Sequence, residues 1–518
     1  MSTPTFATRL AEVAEAKAAL LDEARPEAIA RQHRRGKKSV RERLAALFDD
    51  GVFDELGALA SSPAEDRDEF PADGMITGIG RVGGRFVAVA AQDFSVYGGS
   101  FGPYGSLKVH RLLEHCLNQG IPLVLLLDSG GHRIQGGQDS WHFARGGTFF
   151  QDLAALSGWV PIVAAVMGEG FAAATNLAGL ADFVVMVRGI ATMGIAGPLL
   201  VKAATGGDIS KEELGGAAAQ VDVNGLAHLG VDTEEQALDA VRRYLSYLPS
   251  NARERPPVAA TGDPRDRRSE VLAEIVPADT RKPYDVRRVI TEIADRESVF
   301  EIQPKWGANA VTAFARMDGR PVGFIANQPM RLGGMITAQA CEKIARFIAI
   351  CDAYGLPLLY LIDVPGFAIG PSAEKSMLGR RSAKLVFELA HATVPRISLV
   401  LRKGYGMAYF AMAGGQGFVS DASLAWPTAE ICPMSIEGSV DVAYRKDYEA
   451  APDPAARRAE LVAEMRRAIT PLRAAGGLGV DDIIEPADTR RYLNDILSRA
   501  GGRRPNRMPP KYRAISPV

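Results

Sequence analysis

The sequence has little of what disulfide, metal or P-loop nucleotide chemistry would need. It contains only four cysteines in 518 residues, none of them in CxxC spacing, and Cys116 and Cys351 lie on helical stripes. We therefore interpret the cysteines as reduced core thiols. Only seven histidines are present, and none belongs to an HExxH segment. The glycine-rich run GGSFGPYGSLK has no Gly-Lys-Ser/Thr, so we expect neither a metal site nor ATP binding.

An excess of charge of one sign is also missing. The chain has 60 Lys and Arg against 61 Asp and Glu, which gives no reason to expect nucleic acid or an anionic membrane as a partner. No apolar stretch reaches membrane-spanning length, and the first residues, MSTPTFATRLAEVAEAK, lack the apolar core of a signal peptide. We expect a soluble, cytoplasmic protein.

What the sequence does contain is one segment written twice, 235 residues apart. RFVAVAAQD begins at Arg85 and RPVGFIANQ at Arg320, while Gly-Ile-Pro-Leu runs into Asp128 and Gly-Leu-Pro-Leu into Asp363. Between these pairs, two apolar stripes with helical spacing repeat at the same offset: Val109, Leu112, Leu113 and Cys116, then Ile344, Phe347, Ile348 and Cys351. The shared order and spacing predict two copies of one α/β fold, each with a largely parallel sheet.

The predicted domain organisation follows from this repeat. The first copy takes residues 1–255, a polar linker with Pro and Arg takes residues 256–282, and the second copy takes residues 283–518. Gly78, Gly80 and Gly83 spell GxGxxG, but a strand follows them where a dinucleotide site needs a helix. We predict a hairpin turn there.

Turns rich in small residues follow predicted strands at matching places in the two copies. Asp128-Ser-Gly-Gly and Gly168-Glu-Gly-Phe-Ala-Ala belong to the first copy, and Asp363-Val-Pro-Gly and Lys403-Gly-Tyr-Gly-Met-Ala to the second. A strand that turns into a helix exposes backbone N–H groups, which can bind a developing oxyanion. For any single turn, close helix-to-sheet packing is the better explanation. Four turns in register favour a catalytic role.

At these residues the chain resembles a known family. DSGGHRIQGG, SKEELGG, EIVPADTRKPYDVRRVI, IDVPGF, LRKGYGMAY and AWPTAEI are similar to signature segments of the carboxyltransferase (beta) subunits of biotin-dependent acyl-CoA carboxylases, the propionyl-CoA and methylcrotonyl-CoA carboxylase family. The resemblance runs from about residue 40 to MPPKYR near the C-terminus. It implies two tandem crotonase-like ββα-superhelix domains, the first binding an acyl-CoA and the second carboxybiotin.

The resemblance also implies partners. Biotin would be carried by a separate carrier protein that works with a biotin carboxylase, and coenzyme A would enter as the thioester substrate. The chain itself would be a homo-oligomer, expected to be a hexamer.

The resemblance assigns roles to particular residues. The backbone donors would be Ala172 and Ala173 for the enolate, and Gly406, Met407 and Ala408 for the biotin ureido oxygen. The substrate-binding residues would be Gly130, Gly131, Phe171, Asp421, Gly333, Gly334, Pro365 and Gly366. Phe171 and Asp421 would limit the acyl group, although a carboxylate at Asp421 could equally be a helix cap or a loop residue. No acid or base side chain and no metal is required.

One departure from the family pattern concerns the first oxyanion turn. Most relatives have Gly-Pro-Cys-Ala-Gly-Gly where this chain has Gly168 to Ala173. An alanine still carries an N–H, so we expect an oxyanion hole only if the backbone φ there is negative.

Two alternatives stay open. One is the carboxyltransferase subunit of an acyl-CoA decarboxylase, which runs the transfer in reverse. The other is a non-catalytic scaffold that binds acyl-CoA.

Overall fold

The computed structural model of the protein describes residues 5–60, 71–133, 140 and 147–503. Residues 134–137 of the DSGGHRIQGG segment and the C-terminal MPPKYR lie outside the described residues. The chain divides into two compact units between Glu254 and Arg255, next to the predicted end of the first copy at residue 255.

The first unit consists of one sheet with helices. Its strands are β1 (Phe53–Leu56), β2 (Met75–Val82), β3 (Arg85–Gln92), β4 (Leu123–Ser129), β5 (Ile162–Phe171), β6 (Phe183–Val187), β7 (Thr192–Gly194) and β8 (Leu229–Val231). Its helices are α1 (Phe6–Ala18), α2 (Pro26–Arg34), α3 (Val40–Leu47), α4 (Pro103–Gln119), α5 (Thr148–Leu156), α6 (Ala173–Leu180), α7 (Pro198–Thr205), α8 (Lys211–Gly215) and α9 (Glu234–Tyr247).

The second unit repeats this plan with more helices. Its strands are β9 (Phe300–Ile302), β10 (Ala310–Met317), β11 (Arg320–Asn327), β12 (Leu358–Val364), β13 (Arg396–Tyr405), β14 (Ala422–Ala425), β15 (Glu430–Cys432) and β16 (Asp482–Ile483). Its helices are α10 (Val271–Ile275), α11 (Val286–Ile293), α12 (Ala338–Tyr354), α13 (Pro371–Lys375), α14 (Leu378–His391), α15 (Gly406–Ala411), α16 (Ile436–Ala443), α17 (Arg445–Glu449), α18 (Pro454–Arg466), α19 (Pro471–Gly476) and α20 (Thr489–Arg499).

The two sheets have the same topology. The strand order is β1-β2-β3-β4-β5-β6-β8 with β7 on β5, and β9-β10-β11-β12-β13-β14-β16 with β15 on β13. In each sheet the first two pairings are antiparallel and the pairings from β3 or β11 onward are parallel. The duplication and the largely parallel sheets predicted from the sequence are therefore confirmed.

The two helices predicted from apolar periodicity are present, and their apolar residues are buried. All the residues of the first helical stripe are buried on α4, and all those of the second are buried on α12. The glycines of the GxGxxG run lie on β2 and in the turn to β3, because Val82 pairs with Arg85 across a hairpin. The carboxyl ends of the parallel strands meet at one edge of each sheet, which places the small-residue turns together.

The segment 256–282, which we expected to be a linker, belongs to the second unit. The N–H of Ala259 donates to the Gly319 carbonyl (3.0 Å), and that of Ser269 to the Ala487 carbonyl (3.0 Å). Leu272 and Ile275 on α10 are part of the hydrophobic core of this unit. The segment is mostly polar, which is why we predicted a linker. Its few apolar residues are nevertheless enough to pack it against the second unit.

Within the described part of the chain, no helix is both long and apolar enough to cross a membrane.

Candidate active site

The first small-residue turn follows β5 and contains a strained alanine. Ala172 has φ 56° and ψ −124°, so the expected negative φ is not found. Its N–H donates a 2.8 Å hydrogen bond to the carbonyl oxygen of Gly194 on β7. The prediction that Ala172 is an oxyanion donor is therefore corrected, because pairing between β5 and β7 already uses this N–H.

Ala173 remains as a donor at this turn. It is the first residue of α6, where an α-helix leaves its N–H without an intrahelical acceptor. Its N–H also finds no acceptor elsewhere among the described residues. The positive end of the α6 dipole favours negative charge at this point.

Gly130 and Gly131, which we predicted to bind the substrate, lie beside this turn. The strands place them there, because Ser129 at the end of β4 pairs with Gly170 on β5. A Cβ at Gly131, which has φ 110°, would lie 3.7 Å from the Ala172 Cβ. The N–H groups of both glycines are occupied, since Gly130 donates to the Gly98 carbonyl (2.9 Å) and Gly131 to the Ser129 hydroxyl (3.0 Å).

The Phe171 side chain, predicted to restrict the acyl group, is directed into the protein. Phe171 is 5% exposed. A Cβ at Gly194 would come within 3.2 Å of the ring, and one at Gly197 within 3.9 Å, so the ring covers these two glycines. Phe171 thus packs under the turn, against Gly194 and Gly197.

Beneath the turn lies a buried carboxylate held by two cations. Asp128, which follows the last buried leucine of β4, accepts from Lys37 Nζ (2.7 Å) and from Arg43 (2.9 Å), and all three side chains are buried. A Cβ at Gly168 would lie only 1.9 Å from the Asp128 carboxylate, so this position requires glycine. Neither cation could be paired with Asp128 from the sequence, because both are far from it along the chain.

A cavity of about 650 Å³ opens next to this network. Four cationic side chains contribute to its lining: Arg31, Arg35, Lys37 and Lys211. Glu169 also lines it and forms an ion pair with Lys211 (2.6 Å). The excess of positive charge fits a polyanionic ligand.

The run from Gly98 to Gly102, GGSFG, matches the G-x-S-x-G pattern of a nucleophile elbow. Its serine, Ser100, is buried and is held by Arg133, whose Nε lies 3.3 Å from the hydroxyl. Arg133 also forms a buried ion pair with Asp73. An arginine is no general base, so these contacts make Ser100 part of the loop structure.

The second turn follows β13 and presents donors in the same way. Gly406 has φ 65°, and the following residues continue into α15. Met407 and Ala408 lie in the first turn of α15, where an α-helix leaves N–H groups without an intrahelical acceptor. Gly406 holds the strand-end position of Ala172, whose N–H in the first unit pairs with β7. Met407 is 51% exposed, whereas Ala408 is buried.

The remaining predicted glycines lie at the same edge of the second sheet. Val364 at the end of β12 pairs with Gly404 on β13, which places Pro365 and Gly366 beside the second turn. The Gly366 carbonyl accepts from the Ile336 N–H (3.1 Å). Gly333 and Gly334 both have positive φ, and a Cβ at Gly334 would lie 2.6 Å from the Asp363 carbonyl oxygen.

Asp421 lies at the other end of β13 from Gly406. Its N–H donates to the Arg396 carbonyl (2.7 Å), and its carboxylate accepts from the Arg396 N–H (2.8 Å). Asp182 makes the same pair of bonds to Ile162 in the first unit. These bonds favour the loop-carboxylate alternative for Asp421. The role in limiting the acyl group stays a prediction.

The second unit also has a buried carboxylate below its turn. Asp363 accepts from Arg402 Nε (2.9 Å) and from the backbone N–H of Lys403 (3.2 Å), and it forms an ion pair with Lys403 Nζ (3.2 Å). Arg402 in turn donates to the carbonyls of Pro277, Asp279 and Lys282, which explains why the EIVPADTRKPYD segment wraps this point. The partners of Asp363 could not be predicted from residue spacing in the sequence.

Reactive side chains are scarce near the turns. Cys432 on β15 is paired in register with Tyr405, and burial raises the pKa of this thiol to about 12, so it stays protonated. Within the described ranges, no group of three His, Cys, Asp or Glu residues could hold a metal ion. The chemistry available at both turns is hydrogen bonding by backbone N–H groups.

Known proteins share this sequence and fold. The family profile described as "Carboxyl transferase domain" matches residues 31–514. The chain is 41% identical over 494 residues to the carboxyltransferase subunit of propionyl-CoA carboxylase from Haloferax mediterranei, covering 94% of this chain and 95% of the relative. It is 37% identical to the alpha subunit of methylmalonyl-CoA decarboxylase from Veillonella parvula, covering 93% of this chain and 94% of the relative.

A solved structure agrees. The transcarboxylase 12S subunit, a hexamer described with methylmalonyl-coenzyme A and methylmalonic acid bound, superposes with a TM-score of 0.91 at 38% identity over 99% of both chains. This likeness confirms the predicted pair of crotonase-like domains. The chain belongs to the carboxyl transferase family and is a carboxyltransferase of the acyl-CoA carboxylase type.

Proposed function

We propose that the protein transfers a carboxyl group between biotin on a separate carrier protein and the α-carbon of a short-chain acyl-CoA. The observation that carries this proposal is the pair of turns after β5 and β13, each with backbone N–H groups left without acceptors. Such donors stabilise charge that develops on a carbonyl oxygen. Relatives named for propionyl-CoA and methylmalonyl-CoA support the substrate class.

The first turn would bind the thioester. Removal of the α-proton places negative charge on the thioester oxygen, and the Ala173 N–H at the start of α6 would stabilise that charge. The cavity lined by Arg31, Arg35, Lys37 and Lys211 would hold the phosphates of coenzyme A. Lys37 is fixed by Asp128, so the cavity charge and the turn are parts of one rigid network.

The second turn fits the ureido group of biotin. A ureido oxygen is a hydrogen-bond acceptor, and Met407 and Ala408 in the first turn of α15 offer N–H groups without an intrahelical acceptor. When bound, carboxybiotin supplies the carboxyl group, and its ureido nitrogen can take up the α-proton. The residues of this turn would orient the ureido ring and stabilise charge on its oxygen.

Partners follow from this assignment. We propose that the carrier and the biotin carboxylase are other polypeptides and that this chain assembles into a hexamer, as the transcarboxylase 12S subunit does. Detection of covalent biotin on this polypeptide in a streptavidin blot would contradict the first part.

The reverse direction is a second candidate. The similarity to a methylmalonyl-CoA decarboxylase subunit is nearly as extensive as that to propionyl-CoA carboxylase, and the same turns would serve either direction. Co-purification from native extracts separates the two. A biotin carboxylase partner indicates carboxylation, and a membrane subunit indicates decarboxylation.

The proposal can be tested on the purified full chain. We expect methylmalonyl-CoA and free biotin to yield propionyl-CoA, measured by chromatography of the CoA products. A reaction without biotin controls for spontaneous decarboxylation. Absence of transfer from malonyl-, methylmalonyl- and ethylmalonyl-CoA, together with tight acyl-CoA binding by calorimetry, would instead support the non-catalytic scaffold.

A further inference from the structure

Ala172 has a backbone conformation that an alanine adopts only at a cost. At φ 56° and ψ −124° its Cβ crowds the backbone, whereas a glycine takes this conformation without strain. Strained residues persist where the surrounding structure holds them, and they cluster at functional sites.

The second unit contains the matching glycine. Phe171 pairs with Gly194 at the end of β5, and Tyr405 pairs with Cys432 at the end of β13. The residue after each strand end is therefore Ala172 in one unit and Gly406 in the other, and Gly406 has a similar φ of 65°. The same turn in this chain is thus made once with a methyl group and once without.

Packing does not explain the methyl group. Ala172 is exposed, so burial of its Cβ does not repay the strain. The hydrogen bond from its N–H to Gly194 belongs to the backbone and would be available to glycine as well.

The position of the methyl group suggests what it does. The methyl group lies 3.7 Å from where a Cβ at Gly131 would be. It is therefore in the gap between the turn that follows β5 and the turn that follows β4. The next residue, Ala173, carries the N–H to which we assign the thioester oxygen. In a thioester the α-carbon is bonded to the carbonyl carbon, so its substituents lie close to whatever flanks the oxygen.

We propose that the Ala172 methyl group limits the size of the substituent on the α-carbon of the acyl thioester. This inference rests on the proposed carboxyl transfer. It makes Ala172 a specificity-determining residue that excludes bulk, while Ala173 provides the donor. Because Gly131 has no side chain, the space beside the Ala172 methyl group is open on that side, and the methyl group limits how much of it a substituent can take.

The test uses carboxyl transfer from dicarboxylic thioesters to free biotin by the full chain. In this reaction the bond between the α-carbon and the carboxylate breaks, the carboxyl carbon bonds to the ureido nitrogen, and the N–H proton moves to the α-carbon. Malonyl-, methylmalonyl- and ethylmalonyl-CoA carry no group, a methyl group and an ethyl group at the α-carbon. Their kcat/KM values are compared for the parent and for Ala172→Gly.

We expect Ala172→Gly to raise kcat/KM for ethylmalonyl-CoA relative to malonyl-CoA about tenfold. The variant should also have a higher Tm than the parent, because the strain is removed. Ala72→Gly is the matched control, since Ala72 has φ 52° and lies outside the turn. It should leave the ratio between the two substrates unchanged.

Two results would overturn the inference. In the first, the parent transfers the carboxyl group, and Ala172→Gly shows the same ratio of kcat/KM for ethylmalonyl-CoA and malonyl-CoA as the parent. The other is an equal change of ratio in Ala72→Gly, which would show a general effect of backbone relaxation. If neither the parent nor the variant transfers a carboxyl group to biotin from any of the three thioesters, the proposed function itself fails, and the inference fails with it.

Discussion

Lys108 and Lys343 are 235 residues apart and hold the same place in the two units, each with its ammonium group buried against main-chain carbonyls. Lys108 Nζ on α4 donates to the carbonyls of Ala72 (3.1 Å) and Met75. Lys343 Nζ on α12 donates to those of Gln303 (2.7 Å), Trp306 (3.2 Å) and Ala310 (2.7 Å). In both units a helix is thereby fixed to the start of the second strand, and the conserved offset shows that the duplicated fold kept this contact.

The first prediction concerns Lys343→Met. Burial lowers the pKa of Lys343 from 10.5 to about 7, and Glu301 opposes this shift. Between pH 7 and 10.5 the unfolded chain therefore binds more protons at this residue than the folded chain, so its contribution to stability rises with pH across this window. The Tm of the parent should increase from pH 7 to pH 9 relative to that of the variant, as thermal unfolding would measure.

The variant should also be less stable than the parent at pH 9, because the neutral amine of Lys343 still donates two N–H groups to buried carbonyls there, and their loss costs about 1–3 kcal/mol each at most. Lys375→Met is the control, since Lys375 is exposed. An equal pH dependence in the parent and in Lys343→Met would refute the assigned pKa.

The second prediction concerns Asp421. Because its carboxylate accepts from the Arg396 N–H at the end of β13 away from Gly406, Asp421→Ala should lower stability by about 1 kcal/mol and leave the acyl-CoA ranking unchanged. Asp182→Ala is the matched variant in the first unit. Comparison of kcat/KM across acetyl-, propionyl-, butyryl- and methylcrotonyl-CoA checks this, and a reordered ranking in Asp421→Ala would restore the role first expected of it.

The third prediction concerns Phe171. Its ring is buried against Gly194 and Gly197, so Phe171→Ala should leave a cavity and cost about 3–5 kcal/mol of stability. Loss of support under the turn should lower kcat for every acyl-CoA alike. Activity and Tm of the variant measure both effects, and unchanged stability with better use of longer acyl groups would show that the ring lines the acyl site.

The fold could be predicted from the sequence because it depends on local patterns written twice. The stripes that include Cys116 and Cys351 have helical period, and each copy repeats the order of strands around them. Periodicity and repetition both survive in a linear reading of the chain.

The site could be predicted only in part. Glycines such as Gly334 mark the sheet edge because a Cβ there would meet the backbone, and that constraint appears in the sequence as a small residue. The use of the Ala172 N–H depends on Gly194, 22 residues later and on another strand. Arg43 reaches Asp128 from 85 residues away. Such partners are set by tertiary packing and leave no local pattern.

The fourth prediction concerns assembly. If the site is built as in the transcarboxylase 12S hexamer, the active species should have a mass near six times the 55.4 kDa of one chain. Light scattering coupled to size exclusion, followed by assay of each fraction, measures this. A monomer with full activity would contradict the proposal.

The last prediction concerns the backbone donors. Proline lacks an N–H, so Ala173→Pro and Met407→Pro should each lower kcat by about 10²–10³ if these groups stabilise the thioester oxygen and the ureido oxygen. Ala173 is the first residue of α6, where proline is compatible with a helix, and Met407 is half exposed, so the added ring meets little resistance there. Ala408 is a poorer test, because its buried side chain would confound loss of the donor with loss of packing.

Matched variants separate the donor from the side chain. Ala173→Ser and Met407→Leu keep the N–H and should retain most of the activity, and circular dichroism should show that the proline variants remain folded. His132→Ala should cost much less than either proline variant, since no acid or base side chain is assigned to the reaction. Because each proline removes one backbone donor from a different unit, the two losses should act on different substrates. Ala173→Pro should lower kcat/KM for every acyl-CoA when free biotin is the acceptor, and Met407→Pro should raise the KM for free biotin. Loss of turnover in His132→Ala with activity kept in both proline variants would replace backbone donation with acid–base catalysis by a side chain.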